Sequence, residues 1–177
     1  MDGPSSVTWT FGRQSPDNCL MRFVDRRLFA PASAFLDIGS GEGANARELE
    51  ERKYRVITID KDPSTSARYL EDIREFEWDG AGDFDLIYDI NTLCHIKDPP
   101  FEKIRGWLKP EGVFFSICPT AIGPQYIHWG KDYTRRVDEV ELRLMLDPFF
   151  KEVRIYWRGE PDFKGNQLES WIVEARP

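Results

Sequence analysis

Short apolar runs alternate with amphipathic or polar stretches along the whole chain, and this texture predicts strands and helices taken in turn, an α/β layer arrangement. Ala34 to Ile38, Arg55 to Asp60, Phe84 to Asp89 and Gly112 to Cys118 read as strands, the last apolar on both faces like a central parallel strand. Between them Ala44 to Arg52 and Pro100 to Leu108 read as helices. Ahead of the first strand, Asn18 is expected to cap a helix whose apolar side is Leu20, Phe23, Val24 and Leu28, with Arg22, Asp25, Arg26 and Arg27 turned to solvent. Residues 1–33 then form a lid or platform. Asp138 stands three residues before Glu141, a capping-box signature with Val137 and Leu142 at the staple positions, so a helix should run to about Asp147. Glu152 to Trp157 and Ser170 to Ala175 are expected to pair antiparallel across the connection Gly159 to Glu169. No repeat or low-complexity linker interrupts the pattern, which implies one domain over residues 1–177.

Length agrees with that organisation, because 177 residues bury one core well and are too few for two ordinary domains. The net charge of -7 disfavours a protein whose main task is gripping a phosphate backbone, since that binding is carried by clustered Lys and Arg. Arg26-Arg27 and Arg135-Arg136 are the only adjacent Arg pairs, and such pairs usually mark solvated faces. Cys19, Cys94 and Cys118 are odd in number and lack zinc-like or redox pairing, which fits small buried hydrophobes in a reducing compartment. The N-terminus lacks a basic segment followed by an apolar run, and the longest apolar stretch, Val113 to Cys118, is far shorter than a membrane span. A cytoplasmic protein is expected.

Candidate chemistry concentrates at Phe35-Leu-Asp-Ile-Gly-Ser-Gly-Glu-Gly-Ala-Asn45, where a strand breaks into alternating glycines and a helix begins. Gly39, Gly41 and Gly43 permit positive φ and close approach of backbone to a ligand, while the helix start offers unpaired N–H groups to an anion. Gly39, Gly41 and Ala44 also satisfy the dinucleotide pattern G-x-G-x-x-G/A, so the loop alone does not separate cofactors. Asp37 does begin to separate them. A carboxylate two residues before the first glycine is poorly placed beside a pyrophosphate but suits a cationic amino group, which implies a zwitterionic ligand. Asp60 ends the next strand 21 residues past Gly39, the distance at which such sites hold ribose hydroxyls, although Asp60-Lys-Asp-Pro63 also reads as a turn.

These residues resemble the class I S-adenosylmethionine-dependent methyltransferases, whose first motif is similar to LD-[IV]-G-[CS]-G-x-G. Phe84-Asp-Leu-Ile-Tyr-Asp-Ile-Asn-Thr-Leu-Cys-His-Ile-Lys-Asp98 resembles the family's fourth-strand motif, and Leu108-Lys-Pro-Glu-Gly112 resembles its LKPGG turn. The resemblance implies a Rossmann-like three-layer sandwich: a mostly parallel seven-stranded sheet with an antiparallel last strand. It implies S-adenosyl-L-methionine as cofactor and S-adenosyl-L-homocysteine as product. The methionine part would meet Asp37, Gly39, Ser40 and Gly41, the ribose Asp60 and Lys61, and the adenine side Asp72 and Ile73, with Asp89 and Ile90 nearby. Only about eight residues separate Asp60 from the strand-like Tyr69-Leu70, so the usual intervening helix is expected to be missing. That short form, with His128-Trp-Gly-Lys-Asp-Tyr-Thr-Arg135, resembles a branch of small methyltransferases associated with sugar and cell-surface polymer biosynthesis.

Transfer of a methyl group from a sulfonium needs the acceptor held in line, and a base only where the acceptor must lose a proton. Ligands of open α/β sheets bind beyond the carboxyl ends of the strands, which points to Asp89, Ile90 and Asn91 after the fourth strand and to Thr120 through Arg135 after the fifth. His128, among Tyr126, Trp129 and Tyr133, is the better base candidate; Tyr126, Trp129, Tyr133, Arg135 and Asn91 are candidates for holding a small polar acceptor. His95 and Asp89 are the alternative bases, though His95 between Cys94 and Ile96 reads first as a satisfied packing histidine. Arg135 is as readily a surface ion-pair residue, and Trp9 and Phe11 close over the ligand or simply pack the N-terminus. No metal is expected. The rivals are a methyltransferase acting on nucleic acid or protein, a cofactor-binding module without turnover, and a nicotinamide oxidoreductase, the last opposed by Asp37.

Overall fold

The computed structural model describes residues 15–120, 138–161 and 167–177. In chain order the elements are α1 (Asn18–Arg27), β1 (Ala34–Ile38), α2 (Ala44–Glu51), β2 (Arg55–Asp60), β3 (Tyr69–Leu70) and β4 (Phe84–Ile90). A 3₁₀ turn at Leu93–His95 leads to α3 (Phe101–Trp107), β5 (Leu108–Pro119), α4 (Glu139–Leu146), β6 (Glu152–Pro161) and β7 (Gln167–Arg176). The seven strands form one sheet in the order β3-β2-β1-β4-β5-β7-β6. All neighbours run parallel from β3 to β5, and β7 lies antiparallel between β5 and β6. Strand order therefore reverses between β1 and β4, the switch point at which such sheets open a crevice.

Strand alternation divides the core into two layers. On one face Leu20, Phe23 and Val24 of α1 and Ala46 and Leu49 of α2 cover Phe35, Leu86, Tyr88, Phe115 and Ile117. Phe23 stacks on Phe115 with centroids 4.6 Å apart, so α1 is a packed layer of the sandwich and not a lid. On the other face Phe101, Ile104 and Trp107 of α3 and Leu142 and Leu146 of α4 cover Leu36, Ile57, Ile87 and Phe114. A parallel crossover ordinarily needs a dozen or more residues, usually a helix. Here residues 61–68 join β2 to β3 through a turn in which Asp62 accepts the Ser64 N–H, the missing helix anticipated from the spacing. The space is filled by aromatic rings: Tyr69 meets Phe76 edge-on at 5.2 Å, and Phe76 meets Trp107 at 5.6 Å.

Several boundaries differ from the sequence reading for identifiable reasons. The cap of α1 is Asp17, whose carboxylate accepts from the N–H groups of Cys19 and Leu20 at 2.8 and 3.1 Å; Asn18 is the first helical residue. An ionised cap gains from the helix dipole as well as the hydrogen bonds. Leu28 leaves the apolar stripe because it ends the helix at φ 52° and is 84% exposed, while Met21 is buried in its stead. Strand β5 begins at Leu108 and not at Gly112. Its register jumps from Phe84↔Leu108 to Leu86↔Val113, so the Lys-Pro-Glu-Gly stretch is a bulge inside the strand, at which a Cβ on Gly112 would lie 2.8 Å from the Phe84 carbonyl oxygen. Strands β6 and β7 are longer than expected, reaching Pro161 and resuming at Gln167. Asp138 does build the reciprocal capping box with Glu141; Val137 lies outside the described residues. Among the described residues no helix is long and apolar enough to cross a membrane, and no group of side chains could hold a metal ion.

Candidate active site

The carboxyl edge of β1 is followed by a bend tied down from two sides. The N–H groups of Gly39 and Ser40 both donate to the Ile59 carbonyl of β2, at 2.8 and 3.1 Å. Asp60, the last residue of β2, accepts the Gly41 N–H at 2.8 Å on one oxygen and the Asp62 N–H at 2.9 Å on the other. The glycines then divide their labour. At Gly39, φ +72°, a Cβ would stand 2.0 Å from the Thr92 hydroxyl, so the residue is small because the turn after β4 packs on it. At Gly41, φ +51°, a Cβ would meet nothing within 4 Å, so the bend is open there. Gly43 caps α2 in the left-handed conformation with no side-chain hydrogen bond, which leaves the first-turn N–H groups without a side-chain cap.

Around this bend the structure gathers polar atoms that are buried and unpartnered: Asp37 Oδ2, Ser40 Oγ, Tyr88 Oη, Asn91 Oδ1 and Thr120 Oγ1. They come from the carboxyl ends of β1, β4 and β5. Buried polar groups without partners are uncommon and costly, and their convergence on one edge fits a ligand that supplies donors and acceptors of its own. Asp37 pairs in register with Tyr88 and is 2% exposed; burial pushes its carboxyl up to about 8, opposed by the nearby Tyr88 hydroxyl and reinforced by Asp89 and Asp60. The Tyr88 hydroxyl lies near enough to Asp37 to hold its carboxyl down by hydrogen bonding, although Asp37 Oδ2 and Tyr88 Oη each lack a well-formed bond. Asp89 is fully buried and already employed. Its Oδ1 accepts the N–H groups of Thr92 and Leu93 at 2.8 and 2.9 Å, and its Oδ2 accepts the Ser116 hydroxyl at 2.8 Å. Burial raises its carboxyl to about 6, against the pull of those three donors.

The remaining sequence candidates fall in different places. Asn91 follows β4 at φ 60°, a conformation Asn tolerates better than most residues, with its N–H bonded to the Ile117 carbonyl and its side-chain oxygen buried. Ile90 closes β4 half-buried beside it, and Lys61 is exposed just past Asp60. Asp72 does not stand free: Arg74 grips it at 2.6 Å and holds its carboxyl down to about 2. Ile73 is buried in the core layer with Phe76. His95 ends the 3₁₀ turn and is exposed, so the packing reading is wrong for it. Burial pushes the thiols of Cys94 and Cys118 up, which makes both poor nucleophiles. His128, Tyr126, Trp129, Tyr133 and Arg135, with Trp9 and Phe11, lie outside the described residues. Tyr88, Thr92 and Ser116 were missed by the sequence reading. The ends of the first and fourth strands, set level, would have placed Tyr88 beside Asp37, whereas the contacts of Thr92 and Ser116 depend on packing.

A sheet ordered 3-2-1-4-5-7-6 with a glycine bend after β1 and a carboxylate ending β2 defines the Rossmann-like α/β methyltransferase class. A family model described as a methyltransferase domain matches residues 12–158. The chain belongs to that family. A search of curated proteins finds no significant match. Among solved structures it is similar to phosphoethanolamine N-methyltransferase 2 of Haemonchus contortus in complex with S-adenosyl-L-methionine, with TM-score 0.70 and 15% identity over 92% of this chain and 54% of that one. It is similar to 1,6-didemethyltoxoflavin-N1-methyltransferase of Burkholderia thailandensis, with bound 1,6-didemethyltoxoflavin and S-adenosylhomocysteine, at TM-score 0.70 and 19% identity over 90% and 77%. A S-adenosylmethionine-dependent methyltransferase from Methanosarcina mazei gives TM-score 0.67 and 16% identity over 86% and 96%. The chain thus spans about half of the first relative and nearly all of the third.

Proposed function

We propose that the chain transfers a methyl group from S-adenosyl-L-methionine to an oxygen or nitrogen of a small polar acceptor, a sugar or sugar-bearing intermediate. The observation that carries the reading is the set of buried, unpartnered polar atoms around the open bend at Gly41, in a chain of the methyltransferase family. When bound, the cofactor supplies an electrophilic methyl on a sulfonium with a neutral leaving group. The protein's part is to bind and align. Asp37 takes the ammonium group, Ser40 and the bend between Gly39 and Gly41 the rest of the methionine portion, and Asp60 with Lys61 the ribose. Asp60 retains capacity for this, because a carboxylate accepts about four hydrogen bonds and two are in use. Asp72 and Ile73 bound the adenine side, with the Arg74 ion pair holding the Asp72 carboxylate in place. Asp89 and Ile90 support the cradle from β4.

Asp89 already accepts three hydrogen bonds and serves chiefly to hold the turn after β4. Where the acceptor must lose a proton, His128 is the base we assign, ahead of His95. Asn91, Tyr126, Trp129, Tyr133 and Arg135 form the acceptor pocket. The small-molecule reading is supported by the small molecules bound in two structurally similar enzymes, phosphomonomethylethanolamine and 1,6-didemethyltoxoflavin. The sugar reading rests on the short β2 to β3 crossover and the His128 to Arg135 segment. We place the protein in the cytosol, where its buried thiols stay reduced. Calorimetric titration with S-adenosylhomocysteine, with NAD as control, tests the cofactor; the expected result is binding of the first and none of the second. Binding of NAD alone overturns the proposal, and tight binding without turnover on a panel of sugars, amines and phenols reduces it to a binding module.

A further inference from the structure

Asp37 and Tyr88 face each other across β1 and β4, both wholly inside the protein, and neither the Asp37 Oδ2 nor the Tyr88 hydroxyl is satisfied. Among the described residues the charges that reach the pair are negative: Asp89 from β4, Asp60 from β2, and Glu50 from α2 acting on Tyr88. A carboxylate at position 37 would be both desolvated and repelled, and among the described residues no cation stands beside it to offset either cost. A neutral carboxylic acid avoids both. An ammonium group brought in by a ligand inverts the balance, since it supplies the missing opposite charge within a dry site where charge pairs interact strongly.

We propose that Tyr88 is a positioning residue for cofactor uptake: it partners a neutral Asp37 in the free protein and a carboxylate in the loaded one, so that uptake releases a proton. The inference rests on the reading that the bend takes S-adenosyl-L-methionine. The step balances simply. The O–H bond of the Asp37 carboxyl breaks, its electron pair stays on the carboxylate, the proton leaves to buffer, and the ammonium keeps its own protons. Tyr88 does not titrate in this exchange, because burial and the neighbouring Asp37 push its hydroxyl up and keep it a donor. The pull of its nearby hydroxyl on the carboxylate, short of a well-formed bond, opposes the burial that drives Asp37 up to about 8.

The test is calorimetric titration of the full chain with S-adenosylhomocysteine at about pH 6.5, in buffers of contrasting ionisation enthalpy. The expected result is a heat that tracks the buffer with about one proton released per ligand, and an affinity that rises up to about tenfold per pH unit below pH 8. Asp37→Asn should bind more weakly and release none. Tyr88→Phe should move the midpoint of the affinity profile to higher pH while keeping the affinity reached at high pH; a merely structural tyrosine would lower affinity evenly at every pH. Binding by the unaltered protein without proton release overturns the inference and leaves the cofactor reading intact, as does a Tyr88→Phe profile with an unmoved midpoint. Absence of binding at every pH overturns both.

Discussion

Gly39 and Gly41 share a motif and a backbone sign but answer to different neighbours, which makes them separable by mutation. Gly39→Ala collides with Thr92 in a left-handed backbone, so unfolding in urea should show a loss of about 1–3 kcal/mol. Gly41→Ala has room for the added carbon, so its stability loss should be about 1 kcal/mol while its affinity for S-adenosylhomocysteine falls further. Equal losses of stability in the two variants would contradict this division. Asp60→Ala removes the acceptor of the Gly41 N–H together with the expected ribose contact, and isothermal titration should show sharply weaker binding; His128→Ala should leave binding intact and lower turnover. Asp37 also governs stability in the free protein. Its folded value near 8 stands above the ordinary 3.8, so the folded form holds a proton that the unfolded chain has lost, and stability is fully present below about pH 4 and declines as pH rises to about 8. Asp89, raised to about 6, adds to the lower part of that decline. Thermal melts across the window should show the fall, and Asp37→Asn should flatten it between about pH 6 and 8.

Helix caps illustrate how local chemistry becomes anchored by tertiary contacts. Asp138 caps α4 at an exposed site with only its own helix as partner, so Asp138→Ala should cost about 1 kcal/mol in chemical denaturation. Asp17 caps α1 but is wholly buried, approaches Arg158 of β6 at 3.5 Å, and donates its N–H to Asn45 of α2 at 2.7 Å. One residue thus joins α1, α2 and the sheet. Its replacement by Ala should cost about 3–5 kcal/mol, since it strands a buried partner as well as a cap. The capping box of α4 was readable from Asp138 and Glu141 because it is closed within four residues. The choice of Asp17 over Asn18 was not, because it depends on which side chain the surrounding elements enclose.

At the scale of the whole molecule, ligand binding and folding are one equilibrium. A ligand that binds only the native state at a hundred times its dissociation constant adds about 2.7 kcal/mol. In a chain of this size that amounts to a rise of roughly 5–10 °C in the melting midpoint, to be seen by differential scanning fluorimetry with S-adenosylhomocysteine and absent with NAD. The closed two-sided sandwich also explains the short crossover to β3: rings of Tyr69, Phe76 and Trp107 cover the sheet where a helix would have lain.

What the chain determined by itself was everything carried by short range and period: the strands, the glycine bend, the carboxylate at the end of the second strand, and the missing helix. Hydrophobic period and backbone freedom are properties of adjacent residues, so they survive in one dimension. Tertiary structure alone decided which groups are spent and which remain available. It set the Ser116 hydroxyl on Asp89 and Tyr88 beside Asp37. Those partners are distant in the chain or chosen by packing, and only burial makes a carboxyl's neighbours decide its charge.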